Sequence, residues 1–267
     1  MVQKFSLHTH TTGYDGKNTV AEMINQGQAL GWHTIGISNH MEFHENLPLF
    51  HPMFFADYKA ASDLYKKTID EIREQATKTK MRVLVGFEVD FFPSRKWRTD
   101  FENLIKDLDY DYLIGSTHCI YNKDESKIYH LYDYTRPKVP DKEFTDSYWN
   151  NIKEAIKSGY FDTIAHLDLW KIFGLDGPMY REDKSEVAEL LAKYNVATEF
   201  NTGCKTKYDA YFPSDDMLRE LNDNNVALMV SDDSHAVETL GQHFDEAEEI
   251  LAKIGYKNRF TPEDLKK

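Results

Sequence analysis

The sequence has few cysteines, no long apolar run and fewer basic than acidic residues. Two cysteines among 267 residues are too few for a disulfide framework and are typical of a reducing cytoplasm. No run approaches the roughly 20 apolar residues of a membrane span, and we expect no secretory signal segment. The net charge of −13 argues against a nucleic acid polymer or an anionic membrane as partner. A small phosphorylated substrate stays compatible with this charge, because bound metal ions reverse the local field.

No Gly/Ser linker or low-complexity tract divides the chain, and a single pattern recurs along it. A short apolar run ends in polar residues, and an amphipathic helical stretch follows. The runs are 5–10, 34–40, 83–90, 112–118, 162–168, 196–201 and 227–235. The helical stretches are 19–30, 55–79, 97–108, 143–157, 181–194, 214–225 and 244–253, with Ser214 as an N-cap and Gly255 as a C-cap. Seven such units predict an α/β barrel that forms a single domain over residues 1–267.

Residues with metal-ligand chemistry cluster at the ends of the apolar runs, where such barrels carry their active sites. His8 and His10 are two residues apart, so on a strand both imidazoles point to the same side. An HxH pair alone is more often structural than a ligand pair, but the same spacing returns at other run ends. The candidate ligands are His8, His10, Asp15, His40, Glu88, His118, His166, Asp233 and His235.

Nine ligands are too many for one ion, which takes four to six ligands including water. We therefore expect two or three divalent ions, with Glu88 or Asp233 as a bridging carboxylate. Mixed imidazole and carboxylate ligation suits Zn, Mn or Fe. Cys119 directly follows His118, so its side chain is expected to point the other way, into the core.

An ordered set of motifs then identifies a family. HTHT…YDGK, SNH, GFEVD, STH, AHLDL, EFNTG and SDDSH follow one another from Phe5 to His235 and resemble the polymerase-and-histidinol-phosphatase (PHP) superfamily. GFEVDFF and AHLDLWKIFG resemble its stand-alone histidinol-phosphatase branch. The resemblance implies a distorted (β/α)7 TIM-like barrel and a metal-dependent phosphoric monoester hydrolase of histidine biosynthesis.

The resemblance also divides the ligands among three ions. It assigns the first ion to His8, His10, Glu88 and Asp233, the second to Glu88, His118 and His166, and the third to Asp15, His40 and His235. Two loops depart from the branch. Lys205 stands where a Gly-x-Arg stretch would place arginine, and IYNKDESKIYHLYDY replaces a loop with glycine and tryptophan after His118.

Catalytic roles are expected for Glu88 as the bridge and for Asp233 or His235 as proton donor to the leaving alkoxide. The phosphate contacts expected from neighbouring loops are Lys205 first, then Arg136, Arg95 and Lys123. The amine and imidazole of histidinol call for acidic or aromatic partners, for which Asp90, Glu42 and Tyr121 are the candidates. His33, His44, His51, His130 and His243 end no run and are expected to be structural or exposed.

Two other functions fit the same residues. One is a PHP-family phosphoesterase that acts on a different phosphomonoester or on a nucleotide. The other is a metal-binding protein without catalysis, which the intact ligand set disfavours.

Overall fold

A computed structural model of the chain describes residues 2–44, 55, 58–121, 128–131, 141–173 and 180–266. The strands are β1 Phe5–Ser6, β2 Thr34–Ile37, β3 His40–Met41, β4 Arg82–Asp90, β5 Tyr112–Ser116, β6 Cys119–Tyr121, β7 Ile128–His130, β8 Thr163–Ile164, β9 Ala197–Asn201 and β10 Leu228–Ser231. The helices are α1 Val20–Ala29, α2 Tyr58–Ala76, α3 Arg95–Ile105, α4 Asp141–Ser158, α5 Arg181–Tyr194, α6 Lys205–Tyr208, α7 Asp215–Asp223 and α8 Phe244–Ile254. No helix in these ranges is long and apolar enough to span a bilayer.

One parallel sheet curls into a nearly closed barrel. The strand order is β1-β2-β4-β5-β8-β9-β10, and β3 continues the run of β2 and pairs with β4. Each of the seven apolar runs therefore supplies one position in the barrel, and helices follow the strands as predicted. The predicted α/β barrel is confirmed.

The barrel closes between its first and last strands without a continuous ladder in the described residues. The side-chain amide of Gln3 donates to the carbonyl of Val230 at 2.6 Å and accepts from its N–H at 3.1 Å. Further along, Thr9 and Ser234 form an isolated parallel bridge. The hydroxyl of Ser6 also donates to Asp232 at 2.6 Å. Side chains thus complete a closure that backbone pairing begins.

Strand alternation divides the barrel interior into an apolar and a polar part. Leu84 on β4 and Tyr112 on β5 belong to a small buried cluster, while Glu88, four residues after Leu84, faces the same side nearer the carboxyl ends. The Tyr112 hydroxyl donates to the carbonyl of Leu7 at 2.5 Å. A side chain at Gly86 would overlap the Tyr112 ring, so glycine is required there. The apolar part supports the polar residues above it.

Three local features differ from the prediction or extend it. The hairpin of β6 and β7 was not predicted, and it pairs Cys119 with His130. Cys119 itself is buried, as expected. Ser214 precedes α7 as expected, but its side chain makes no capping bond, because its hydroxyl contacts Asp168 and Asp216 instead. The short helix α6 was also not predicted.

Candidate metal centre

The carboxyl ends of the barrel strands bring the nine predicted ligands together. Their ligand atoms fall into overlapping sets, within each of which all atoms lie within 4.8 Å of one another. The sets are His10, Asp15, His40 and His235; His8, His10, Glu88 and Asp233; Glu88, His118 and His166; and His40, Glu42 and His118. Three of these sets contain the groups that the family pattern assigns to single ions. The fourth adds Glu42, which sequence reasoning placed against the substrate.

Glu88 lies at the centre of the cluster and faces two sets with its two oxygens. Oε2 lies 3.2 Å from His8 Nε2 and 3.0 Å from His40 Nδ1. Oε1 lies 2.9 Å from His166 Nε2 and 3.6 Å from His118 Nε2. The side chain is fully buried. This geometry is that of a carboxylate able to bridge two ions.

The set around Asp15 is the most open part of the cluster. Asp15 Oδ2 lies 3.1 Å from His235 Nε2 and 3.5 Å from His40 Nε2. The side chains of His235 and Asp15 are 35% and 29% exposed, whereas those of His8 and His10 are 0% exposed. The cluster is therefore most accessible to solvent on the side of His235.

Buried atoms without hydrogen-bond partners show that the cluster suits cations. Among the described residues, His8 Nε2, His10 Nε2, His40 Nδ1, Glu88 Oε2 and Asp233 Oδ1 are buried and make no hydrogen bond. Each such atom costs about 1–3 kcal/mol if it stays unsatisfied. These atoms approach one another at 3.0 to 3.5 Å. Ligand atoms that share one Zn²⁺ at about 2.0–2.2 Å would have a similar spacing of about 3–3.5 Å. The residues fit a divalent metal centre.

The electrostatics of the cluster favour positive charge. Burial disfavours an ionised Glu88, but the imidazoles of His8, His40 and His118 outweigh it and hold the pKa of Glu88 well below its ordinary value. Burial likewise opposes protonation of His118, yet Glu88 and Asp90 raise its pKa to about 9. Ionised carboxylates thus stabilise whichever cations occupy the centre, protons or metal ions.

The pKa of His10 is shifted in the opposite direction to those of His8, His40 and His118. Burial, together with the neighbouring His235 and His40, lowers the pKa of His10 to about 3. A neutral imidazole is the form that binds a metal ion. His10 is therefore ready to act as a ligand without first losing a proton.

Asp90 and Glu42 lie beside the ligands and are buried. Asp90 Oδ1 accepts from the backbone N–H of His118 at 2.7 Å, and its Oδ2 lies 3.4 Å from His118 Nδ1. Glu42 accepts a hydrogen bond from the hydroxyl of Tyr14, and burial raises its pKa to about 8. Asp90 orients an imidazole, a contact that the spacing of residues did not reveal.

The predicted phosphate contacts differ in where they lie. Lys205 is on α6, where its ammonium lies 2.6 Å from Asp209 and 3.8 Å from Glu246. Arg95 is exposed at the start of α3, on the loop side of β4. Arg136 and Lys123 lie outside the described residues, as does the side chain of Tyr121. Lys171, which sequence reasoning did not select, follows His166 on the same rim and lies 3.3 Å from Asp168.

The five histidines set aside in the sequence have separate surroundings. His44 is buried against Phe92, with ring centroids 4.7 Å apart. His33 contacts Thr34, and His243 lies 3.6 Å from Glu246. His130 was expected to end no strand but is the last residue of β7, and its ring stacks on that of His118 with centroids 6.1 Å apart. His51 lies outside the described residues. None of the four described here belongs to a candidate metal set.

Glu199 is the main residue that sequence reasoning missed. It lies on β9, is fully buried and contacts both His8 and His166. Its signal in the sequence was a carboxylate in the middle of an apolar run, because Glu is almost never fully buried without a partner.

Two known proteins are similar to this chain in sequence along most of its length. A protein of Deinococcus radiodurans named "Probable histidinol-phosphatase" is 26% identical over 226 residues, which cover 80% of this chain and 81% of that protein. The DNA polymerase/3′-5′ exonuclease PolX of Bacillus subtilis is 23% identical over 245 residues, covering 89% of this chain but only 35% of PolX.

A solved structure shares the fold. Histidinol phosphate phosphatase of Lactococcus lactis, crystallised in complex with Zn, L-histidinol and phosphate, superposes with a TM-score of 0.73 at 17% identity and covers 100% of both chains. The sequence profile of the PHP domain matches residues 6–203, well over half of the 267 residues. The chain therefore belongs to the PHP domain family.

Proposed function

We propose that this protein is a metal-dependent phosphatase that hydrolyses L-histidinol phosphate. The observation that carries the metal-dependent chemistry is the convergence of the nine predicted ligands, with the buried Glu88 at their centre. The choice of substrate is supported by the similarity to the Deinococcus protein along most of both chains. The proposed centre holds two or three ions of Zn, Mn or Fe, divided as the family pattern divides the ligands.

Divalent ions in such a centre supply Lewis-acid chemistry: they activate water for attack on phosphorus and neutralise charge on the phosphate oxygens. The residues of the chain hold and orient this chemistry. Glu88 bridges two sets with its two oxygens. The side chain of His235 is 35% exposed, which is more than that of any other predicted ligand. We therefore assign to His235 the delivery of a proton to the leaving alkoxide. Asp233, 22% exposed beside it, is the other candidate.

Substrate would approach from the open side of the cluster, near Asp15 and His235. Lys205 and Arg95 supply positive charge on the rim, and Lys205 would exchange its contact with Asp209 for a phosphate oxygen. Lys171 is a further rim cation, held between Asp168 and the carbonyl of Tyr211. Glu42 is placed to accept from the substrate amine, since it lies between the ligands His40 and His118. Arg136, Lys123 and Tyr121 complete the proposed set, whereas Asp90, predicted as a substrate contact, would act through His118, which both of its oxygens face.

A substrate panel tests the proposal. Phosphate release from histidinol phosphate should exceed release from an aryl phosphate by at least tenfold in kcat/KM, a difference of about 1.4 kcal/mol in transition-state binding. A chelated sample should lose this activity and regain it with added Zn²⁺ or Mn²⁺. A smaller preference would reject histidinol phosphate as the substrate but leave a PHP phosphatase in place.

A second candidate function is phosphodiester hydrolysis, which the similarity to PolX favours. A dinucleotide in the same panel separates it from the first. Preferential cleavage of the dinucleotide would support the second candidate. Bound metal without turnover of any ester would instead support a non-catalytic metal-binding protein.

A further inference from the structure

Glu199 receives three hydrogen bonds at the base of the metal centre. Its Oε2 accepts from His8 Nδ1 at 2.9 Å, and its Oε1 accepts from the backbone N–H of His166 at 2.9 Å. The amide of Asn201 also donates to Oε1, at 2.8 Å. With 0% exposure, Glu199 has no solvent to replace these partners. A fully buried carboxylate with only donors around it is held in one orientation.

The bond to His8 decides which ring nitrogen is free. A carboxylate can only accept, so Nδ1 of His8 carries a hydrogen whether the ring is neutral or protonated, and Nε2 is the nitrogen left for a metal ion. Nε2 is the atom that lies 3.2 Å from Glu88 Oε2 and 3.5 Å from Asp233 Oδ1. Glu199 therefore sets both the tautomer and the ring orientation that suit a metal ligand.

The hydrogen bond to His166 fixes the backbone of that residue beyond the end of its strand. Strand β8 ends at Ile164, so regular pairing does not hold His166 in place. Its backbone has a φ of 22°, a conformation that costs a non-glycine residue on the order of 1–3 kcal/mol. Glu199 fixes the N–H of this residue, and the ring then lies 2.9 Å from Glu88 and 3.1 Å from His118.

We propose that Glu199 is a positioning residue that fixes one imidazole in each of two metal sets, His8 directly and His166 through its backbone. The proposal rests on the metal-dependent function above and adds a residue that touches neither ion nor substrate. It also requires a carboxylate. Three donors converge on Glu199, and a glutamine in its place would present an amide NH₂ to at least one of them.

Glu199→Gln is the test, because it conserves size and leaves no cavity. If the amide oxygen of the glutamine accepts the hydrogen bonds of His166 and Asn201, its NH₂ group faces Nδ1 of His8. That donor favours the His8 tautomer with hydrogen on Nε2, and a protonated Nε2 cannot bind a metal ion. We expect the affinity for Zn²⁺, measured by competition with a chromophoric chelator, to fall about 10- to 100-fold. Turnover of an aryl phosphate should recover with excess Zn²⁺.

Asp162→Asn is the matched control. Asp162 is also buried and accepts from two backbone N–H groups, of Leu113 and Lys266. It lies directly before β8 and, among the described residues, contacts no candidate ligand. We expect this variant to lose stability and to keep the wild-type affinity for Zn²⁺. An unchanged Zn²⁺ affinity in Glu199→Gln, or equal losses in both variants, would overturn the proposal.

A measurement on the wild type remains decisive even if Glu199→Gln fails to fold. In the Zn²⁺-loaded protein, ¹H–¹⁵N correlation through the imidazole ring should show His8 with hydrogen on Nδ1 and ligation through Nε2. Ligation through Nδ1 would contradict the proposed role. Neither this measurement nor the Zn²⁺ titration involves histidinol phosphate, so both stand if the substrate assignment fails.

Discussion

The metal-free protein should lose stability as the pH rises from about 6.5 to 9. Without metal ions, protons are the cations that balance the carboxylates of the centre. Burial opposes protonation of His8, His40 and His118, but nearby carboxylates raise the pKa of each above the ordinary value for histidine. A proton bound more tightly in the folded state stabilises that state.

The sign and size follow from His118. Its stabilising contribution is fully present below its ordinary pKa of 6.5 and is lost as the pH rises through its folded-state pKa of about 9. The difference amounts to roughly 3 kcal/mol in the free energy of unfolding, or a fall of roughly 10 °C in Tm for a chain of this size. On the acid side the depressed pKa values of Glu88 and Asp233 act in the opposite direction. Their contribution is lost as the pH falls below about 4.

Urea unfolding of chelator-treated protein at several pH values between 5 and 9 measures this effect. Saturating Zn²⁺ should remove the decline or reverse it, because metal ions displace the protons and bind more tightly as the pH rises. His118→Gln should make the metal-free protein less sensitive to pH in the same interval. A free energy of unfolding that stays constant or increases between pH 6.5 and 9 without metal would refute the reasoning.

Three further perturbations test other parts of the structure. Glu88→Ala should lose metal from both sets that it faces, together with turnover, and a full metal content by elemental analysis would disprove the bridge. Gly86→Ala should destabilise the fold by about 1–3 kcal/mol in urea unfolding, because the new side chain overlaps the Tyr112 ring; Gly27→Ala in α1, where the space is ordinary, is its control. Lys205→Met should raise KM for a phosphate ester several-fold and leave kcat unchanged, which a lower kcat at constant KM would contradict.

The sequence predicts the barrel well because its signals are local and repeated. Each apolar run supplies one barrel position, and the predicted helix 181–194 has the bounds of α5. His8 and His10 lie together with Glu88 because alternation on parallel strands aims such residues at one end of the barrel. The division of the ligands among ions remains a prediction.

The contacts between side chains could not be read from spacing. Asp90 lies two residues after Glu88, a spacing that predicts a side chain in the same pocket. Its oxygens instead contact the backbone and ring of His118. Lys205 lies on the predicted rim, but an acidic residue one helical turn later holds its ammonium. Glu199 contacts His8, which lies 191 positions earlier in the chain, and His166, which lies 33 positions earlier. Such pairings depend on the register between strands, which a single sequence does not state.

Because β1 and β10 are not joined by a continuous ladder in the described residues, bound ions would help to hold these two strands together. His8 and His10 follow the first strand, and Asp233 and His235 follow the last, so a shared ion would clamp the two edges of the sheet. Such a clamp joins segments more than 220 residues apart, as a long-range crosslink does, and it stabilises only the folded chain. Stripping the ions should therefore speed amide hydrogen exchange at these two edges before it affects the paired strands β4 and β5.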